Sequence, residues 1–129
     1  MLTNGGKDFI AAQVGGAGGT ATAAYIALTA NSTAPAAGDT TLAGEIVTAS
    51  GGLIRALGTY AHTGGTSTYT VSKTFTTNAN DTLPVTVAKV GLFTASSSGT
   101  MVFETALSPT ATLSAVGDTL TITQTVTLS

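Results

Sequence analysis

The sequence predicts an all-β fold: a single antiparallel β-sandwich, or a flattened barrel, of about six to eight strands with one short N-terminal helix. The clearest observation is residues 118–128, where threonine alternates with Leu, Ile and Val and only Gln124 interrupts the apolar side. Period-two alternation of this kind is typical of a strand with one buried face. In addition, turn-forming residues separate β-branched segments at intervals of about 10–15 residues, whereas a parallel fold would need repeated helices.

The first third of the chain contains the best helix candidate. Residues 7–14 can place three apolar side chains on one helical face, and a Gly-Gly pair follows where a C-terminal cap belongs. Residues 1–19 are therefore interpreted as a helix and a glycine-rich connector within a single domain, 1–129. A strand is then predicted at 22–29, a loop at 30–39 and a turn or short helical piece at 40–44.

The remaining strands are bounded by turn signals. A hairpin turn at 63–66 is predicted to join strands at 53–62 and 67–77. After a second turn at 78–81, the segment 85–94 is apolar on both faces, which indicates a central strand covered on both sides. A third turn at 96–99 leads to a strand at 100–106. A long connection at 109–117, with an optional short strand at 110–113, precedes the final strand.

Composition excludes several classes of function. Only 8% of the 129 residues are charged and the formal net charge is −2, so the surface is expected to be neutral and rich in hydroxyl groups. The four basic residues are scattered, whereas binding to nucleic acid or to a membrane surface needs clustered Lys and Arg. The chain has no cysteine, so a disulfide framework or a thiolate metal site is excluded. It shows no Sec-type export signal, which indicates synthesis in the cytoplasm.

No set of residues predicts catalysis, a cofactor or a metal. His62 is the only histidine and lacks a partner motif, so a structural or exposed role is favoured over a catalytic base. Asn78, Asn80 and Asp81 offer oxygen ligands for calcium, but ordinary turn chemistry is the preferred interpretation. The glycine run at 15–19 lacks the lysine and the following helix of a phosphate-binding loop. The chain is therefore predicted not to be an enzyme.

Single charges lie in the middle of predicted strands. Arg55, Lys73, Lys89 and Glu104 each lie close to apolar neighbours. A charge on an apolar face needs a partner or must reach the rim. We therefore expect Arg55 or a lysine to pair with Glu104 or Glu45, within the chain or across a subunit contact.

Nine short segments, spread along nearly the whole chain, together carry a resemblance to a known group of proteins. The segments are Lys-Asp-Phe-Ile-Ala-Ala at 7–12, Tyr-Ile-Ala-Leu at 25–28, 33–46, Leu-Ile-Arg-Ala at 53–56, Tyr-Ala-His-Thr at 60–63, Lys-Thr-Phe at 73–75, Val-Gly-Leu-Phe at 90–93, 99–104 and 117–123. Each segment has low specificity alone, and the ordered set is more specific. In this order they resemble a group of small β-rich virion structural proteins of tailed bacteriophages, loosely described as tail-fibre or capsid decoration proteins.

The resemblance implies a non-enzymatic assembly component of the virion, made in the host cytoplasm, without catalytic residues. Because the chain lacks a coiled-coil stalk or a β-helical shaft, we expect capsid decoration first and a tail, baseplate or fibre location second. The expected partners are the major capsid protein or tail proteins, together with further copies of the chain, a trimer being favoured. Neither nucleic acid nor a membrane is an expected partner.

Two rival functions come from the threonine-rich surface. A flat array of threonines could bind ice or another crystalline surface, or the final strand could complete a neighbour's sheet in an adhesive filament. In both cases, as in the virion interpretation, the C-terminal strand is the candidate interface because no proline or lysine protects it. The predicted interface residues are Thr119, Thr121, Thr123, Thr125 and Thr127, with Arg55 and Glu104.

Overall fold

A computed structural model describes residues 1–16 and 21–129 of the chain. Part of the connector predicted at 15–19 lies outside these residues. Within the described ranges the chain forms one helix and seven strands. They are α1 (Asn4–Gly15), β1 (Tyr25–Thr29), β2 (Ala56–Leu57), β3 (Thr59–His62), β4 (Thr68–Thr76), β5 (Val85–Phe93), β6 (Met101–Leu113) and β7 (Thr119–Thr127).

The strands form two antiparallel sheets. Sheet A has the order β2-β1-β5-β6, and sheet B has the order β3-β4-β7. Every pair of neighbouring strands is antiparallel. The predicted all-β, sandwich-like fold with one short N-terminal helix is therefore confirmed, and the alternating segment at the C-terminus forms β7 as expected.

One hydrophobic core lies between the two sheets, because side chains from both belong to the same buried cluster. Alternation along each strand turns one set of side chains toward this core and the other set away from it. Leu53, which precedes β2, is 1% exposed and also belongs to the cluster. The principal strand residues in it are Ile26, Leu28, Val90 and Leu92 of sheet A and Val71, Phe75 and Ile122 of sheet B.

Strand β5 is buried on both faces, as its doubly apolar sequence predicts. Val90 and Leu92 face sheet B, whereas Phe93 belongs to a second cluster on the opposite face. The long segment between β1 and β2 covers that face and places Leu42 in the second cluster. Sheet A is thus the middle layer of the molecule.

The prediction of a single strand at 53–62 is wrong, because the segment divides between the two sheets. Ala56–Leu57 pairs with β1 in sheet A, and Thr59–His62 pairs with β4 in sheet B. Gly58 lies at the crossing, where an added Cβ would come within 2.7 Å of a methyl group of Val71. A glycine inside a strand pattern often marks such a bend.

The connection predicted at 109–117 is shorter than expected, because β6 continues to Leu113. Lys89 pairs with Ala106 and Val87 with Ala111, so residues 107–110 form a bulge opposite Ala88. The optional strand at 110–113 is therefore confirmed as the second half of β6. Residues 40–44 contain a turn rather than a helical piece, with Gly44 at φ +68°.

Helix α1 packs against β6 through a small residue. The Thr3 hydroxyl caps the helix by accepting a hydrogen bond of 2.9 Å from the Gly6 N–H. A Cβ at Gly6 would overlap the Val102 carbonyl oxygen, so glycine permits this close approach. The helix ends at the predicted cap, Gly16, in the left-handed conformation. Its apolar face is only partly buried, and Val14 is 84% exposed.

Candidate interaction surface

The outer surface of sheet B is a continuous array of hydroxyl groups. Alternation turns every second residue of β4 and β7 away from the core, and all of these residues are threonine or serine. None carries a charge, and the five members on β7 are all exposed. We call this surface the hydroxyl face: Thr68, Thr70, Ser72, Thr74 and Thr76 on β4, and Thr119, Thr121, Thr123, Thr125 and Thr127 on β7.

Hydroxyl pairs link the two strands across this face. The Oγ1 atoms of Thr74 and Thr121 are 2.8 Å apart, and Ser72 Oγ lies 3.2 Å from Thr123 Oγ1. These residues lie directly opposite each other in the register. Cross-strand hydroxyl pairs of this kind hold side chains in fixed positions. The face therefore presents a regular pattern of donors and acceptors.

The free edge of β7 is formed by the same threonines. At one end of the β4–β7 ladder the Thr77 N–H donates to the Asp118 carbonyl, and at the other end the Leu128 N–H donates to the Ser67 carbonyl. In an antiparallel pair the bonded positions alternate, so the even-numbered residues of β7 bond to β4. The odd-numbered residues, all threonine, direct their N–H and C=O groups away from β4.

No second strand pairs with that edge among the residues described. The edge runs for nine residues and contains no proline, charge or bulge. Soluble proteins usually protect long edges with one of these features. The outer edge of β7 is therefore available to another chain.

The other edges of the two sheets are short or protected. Leu2 forms a bridge with Phe103, and the Thr3 N–H donates to the Val102 carbonyl, so the first residues of the chain cover the start of β6. Pro109 and the 107–110 bulge interrupt its second half. The outer strands β2 and β3 have only two and four residues.

Arg55 holds three segments together. Its guanidinium forms a bidentate ion pair with Glu45, with Nε–Oε1 and Nη2–Oε2 distances of 2.8 Å and 2.7 Å. Nη1 donates to the carbonyls of Ala95 and Ser98, and the group lies 3.6 Å from the centre of the Phe93 ring. This geometry uses the planar shape of arginine. The predicted pairing of Arg55 with Glu45 is confirmed within the chain.

A second ion pair is buried in sheet A. Lys89 Nζ lies 2.6 Å from Glu104 Oε1, and the two side chains are 2% and 1% exposed. They lie diagonally across β5 and β6, on the face that the 30–45 segment covers. The predicted pairing of a lysine with Glu104 is therefore also confirmed. Arg55 and Glu104 expose little surface to a partner. The interface proposed for this chain therefore consists of the exposed threonines of sheet B, and an interface role for Arg55 and Glu104 stays a prediction.

The residues considered for catalysis or metal binding form hydrogen bonds within turns and at a hairpin end. His62 Nδ1 lies 2.8 Å from the Thr68 carbonyl oxygen at the exposed hairpin end. Asn78 Oδ1 accepts from the Asn80 N–H, and Asp81 Oδ2 accepts from the N–H groups of Asn78 and Gly52. These bonds are the turn chemistry that the sequence predicts.

A groove that the sequence did not predict lies between α1 and sheet B. Its volume is about 550 Å³, and Phe9, Tyr60 and Tyr69 line it. The two tyrosine ring centres are 5.7 Å apart, and burial raises the pKa of Tyr69. Tyr60 lies on β3, two residues after the chain passes from sheet A to sheet B at Gly58.

Sequence comparisons with known proteins do not indicate a function, so a proposal depends mainly on the hydroxyl face and the β7 edge. No protein-family model matches the chain, and no curated protein sequence shows significant similarity to it. Among the residues described, no helix is long and apolar enough to cross a membrane. In the same ranges, no three acidic or histidine side chains group in a way that could hold a metal ion.

Proposed function

We propose that this chain is a non-enzymatic structural protein of a tailed-bacteriophage virion that decorates the outer surface of the capsid. The observation that carries this proposal is the hydroxyl face: a rigid, uncharged surface two strands wide, bordered by an open strand edge. Such a surface suits repeated contact with a protein shell, since it can form many hydrogen bonds without the cost of removing charges from water.

The inner structure of sheet B supports this role. Val71, Phe75 and Ile122 anchor the reverse side of the sheet in the core, so the outer hydroxyl groups stand on a fixed base. A preorganised surface loses little conformational entropy when it binds. The ordered sequence segments resemble virion proteins. This resemblance is the reason for proposing a virion location, with the major capsid protein as partner.

Electron cryomicroscopy of virions that carry this chain tests the proposal. Density for a β-sandwich on the outer capsid, with the hydroxyl face or the β7 edge against the shell, is the expected result. Density along a tail, baseplate or fibre would favour the alternative location among virion proteins. Intact virions without this density at any position would overturn the proposal.

A matched pair of variants tests which surface binds. Thr121→Arg places a charge on the hydroxyl face and should abolish addition of the purified protein to virions assembled without it. Thr112→Arg is the control: Thr112 is also exposed, on a strand, and forms a hydroxyl pair of 3.0 Å with Thr86, but it belongs to sheet A. Equal binding of both variants would exclude the hydroxyl face as the contact surface.

The regular spacing of the hydroxyl face also favours ice binding as a second candidate function. Neighbouring strands lie about 4.8 Å apart, and alternate residues of a strand recur at about 6.7 Å, which gives a two-dimensional array of threonines. Thermal hysteresis of the purified chain measures this activity directly. A freezing-point depression that Thr121→Arg removes would favour ice binding, and its absence would exclude it.

A further inference from the structure

We propose that β7 pairs with β7 of a second copy of this chain, antiparallel and about a two-fold axis that passes between the Thr123 residues of the two copies. The two copies of sheet B would then form one continuous six-stranded sheet with a single hydroxyl face. The inference rests on the sequence and hydrogen-bond pattern of β7 and does not depend on the virion role.

The sequence of β7 is symmetric in the way that a two-fold axis requires. An isologous contact places residue i against residue j and residue j against residue i. Reversing Thr119–Thr127 about Thr123 superimposes every threonine on a threonine and Leu120 on Val126. Ile122 and Gln124 are the only pair that differs in polarity. The register centred on Thr123 therefore keeps the hydroxyl faces of both copies on one side and their core faces on the other, and it pairs the full length of β7.

The available hydrogen-bonding groups fit the same register. The outward N–H and C=O groups belong to the odd-numbered residues, and reversal about Thr123 pairs odd with odd. Each of the five threonines of β7 would form two backbone hydrogen bonds with the second copy. A register shifted by one residue would place odd-numbered residues opposite even-numbered ones, whose N–H and C=O groups are already bonded to β4. It would also place the hydroxyl face of one copy on the same side as the core face of the other.

Charge and exposed apolar side chains favour a second copy over an unrelated partner. Residues 119–127 carry no charge, so two identical edges do not repel each other. Two large apolar side chains at opposite ends of the strand, Val116 and Leu128, are 64% and 60% exposed. In the proposed register Leu128 of each copy lies opposite Asp118 of the other, beside the turn that carries Val116. The contact would thus bring apolar surface together at both ends.

This arrangement predicts a dimer as the basic unit, in contrast to the trimer that the sequence analysis favours. Sedimentation velocity of the native chain at micromolar concentration should therefore give a dimer. A monomer at all concentrations, or a trimer, would overturn the proposal.

Charge substitutions at the axis test the register. Only Thr123 lies opposite itself, so Thr123→Lys and Thr123→Glu should each weaken self-association by about tenfold or more through repulsion of like charges. An equimolar mixture should form heterodimers. Thr121→Lys is the matched control, because residue 121 lies opposite Thr125 and its like-charge counterpart is distant. Its dimerisation should remain closer to native.

Folding of the variants is checked by thermal melting, which should change little because Thr123 is exposed and its N–H is not bonded to β4. Dimers that persist in both folded Thr123 variants would show that another surface associates. Failure of the mixture to restore association would contradict the two-fold register.

Discussion

Sheets A and B share one core, but the outer face of sheet A is largely covered and that of sheet B is exposed. Much of sheet A is buried on both faces, including the Lys89–Glu104 ion pair, and the first residues of the chain cover the start of its β6 edge. Sheet B exposes a whole face of hydroxyl groups and the nine-residue edge of β7. Both sheets contribute side chains to the core, and we propose that the outer surface of sheet B is the surface for association.

The same contrast separates the charged and uncharged polar residues. The two ion pairs of the described residues, Arg55–Glu45 and Lys89–Glu104, join parts of the chain to each other around sheet A. The threonines of sheet B pair only through hydroxyl groups at the surface. Substitutions at the buried ion pairs should therefore affect stability, whereas substitutions on the hydroxyl face should affect association.

The largest expected effect comes from breaking the buried ion pair. Glu104→Gln removes the carboxylate that lies against the buried Lys89 ammonium group and should lower the free energy of unfolding by about 3–5 kcal/mol. Urea denaturation measures the change. The double variant Lys89→Met with Glu104→Leu removes both charges and should recover most of the loss. Unchanged stability in Glu104→Gln would show that the pair does not stabilise sheet A.

A smaller effect is expected at Arg55. Arg55→Lys keeps the charge but loses the bidentate contact with Glu45 and the bonds to Ala95 and Ser98, at a cost of about 1–2 kcal/mol. Hydrogen exchange should accelerate mainly in residues 95–98. Exchange that increases equally throughout the chain would contradict the local role of Arg55.

Two neighbouring residues of β7, one buried and one on the hydroxyl face, should differ strongly in their contribution to stability. Ile122→Ala removes a buried side chain and should cost about 2–4 kcal/mol of unfolding free energy. Thr121→Ala removes an exposed hydroxyl pair with Thr74 and should cost about 0.5 kcal/mol. Chemical denaturation of both variants gives the comparison, and similar costs would show that the hydroxyl face has a larger part in stability than proposed.

The smallest effect concerns the turn before β7. The N–H groups of Ala115 and Ser114 donate to the Asp118 carboxylate and hold its pKa below the ordinary value. A lowered pKa in the folded state stabilises the protein above the unfolded pKa, and this contribution is lost as the pH falls through the folded value. The melting-temperature difference between the native chain and Asp118→Asn should therefore shrink below about pH 4. A difference independent of pH would contradict this account of the turn.

The sequence could predict much of this contrast, because alternation is a local signal. The period-two pattern at 118–128 gives β7, its two faces and the absence of charge along its edge. The doubly apolar segment 85–94 likewise gives the buried strand β5. Even the ion pairs follow from the rule that a charge among apolar neighbours needs a partner, although sequence left the choice of partner open.

Features that depend on distant segments could not be predicted. At Gly58, where the chain passes between sheets, a Cβ would come within 2.7 Å of Val71, which lies in another strand. The continuation of β6 beyond Pro109 depends on the opposing residues of β5. The groove beside α1 arises only after both sheets are in place. Each of these is determined by contacts that the local pattern does not contain.

Residue-resolved amide hydrogen exchange along β7 tests the central claim most directly. In dilute solution the even-numbered amides, bonded to β4, should exchange slowly, while those of Thr119, Thr121, Thr123, Thr125 and Thr127 exchange quickly. In the associated state the odd-numbered amides should become protected and the amides of β1 and β5 should not change. Odd-numbered amides that still exchange quickly after association would contradict the claim that the β7 edge is where the chain associates.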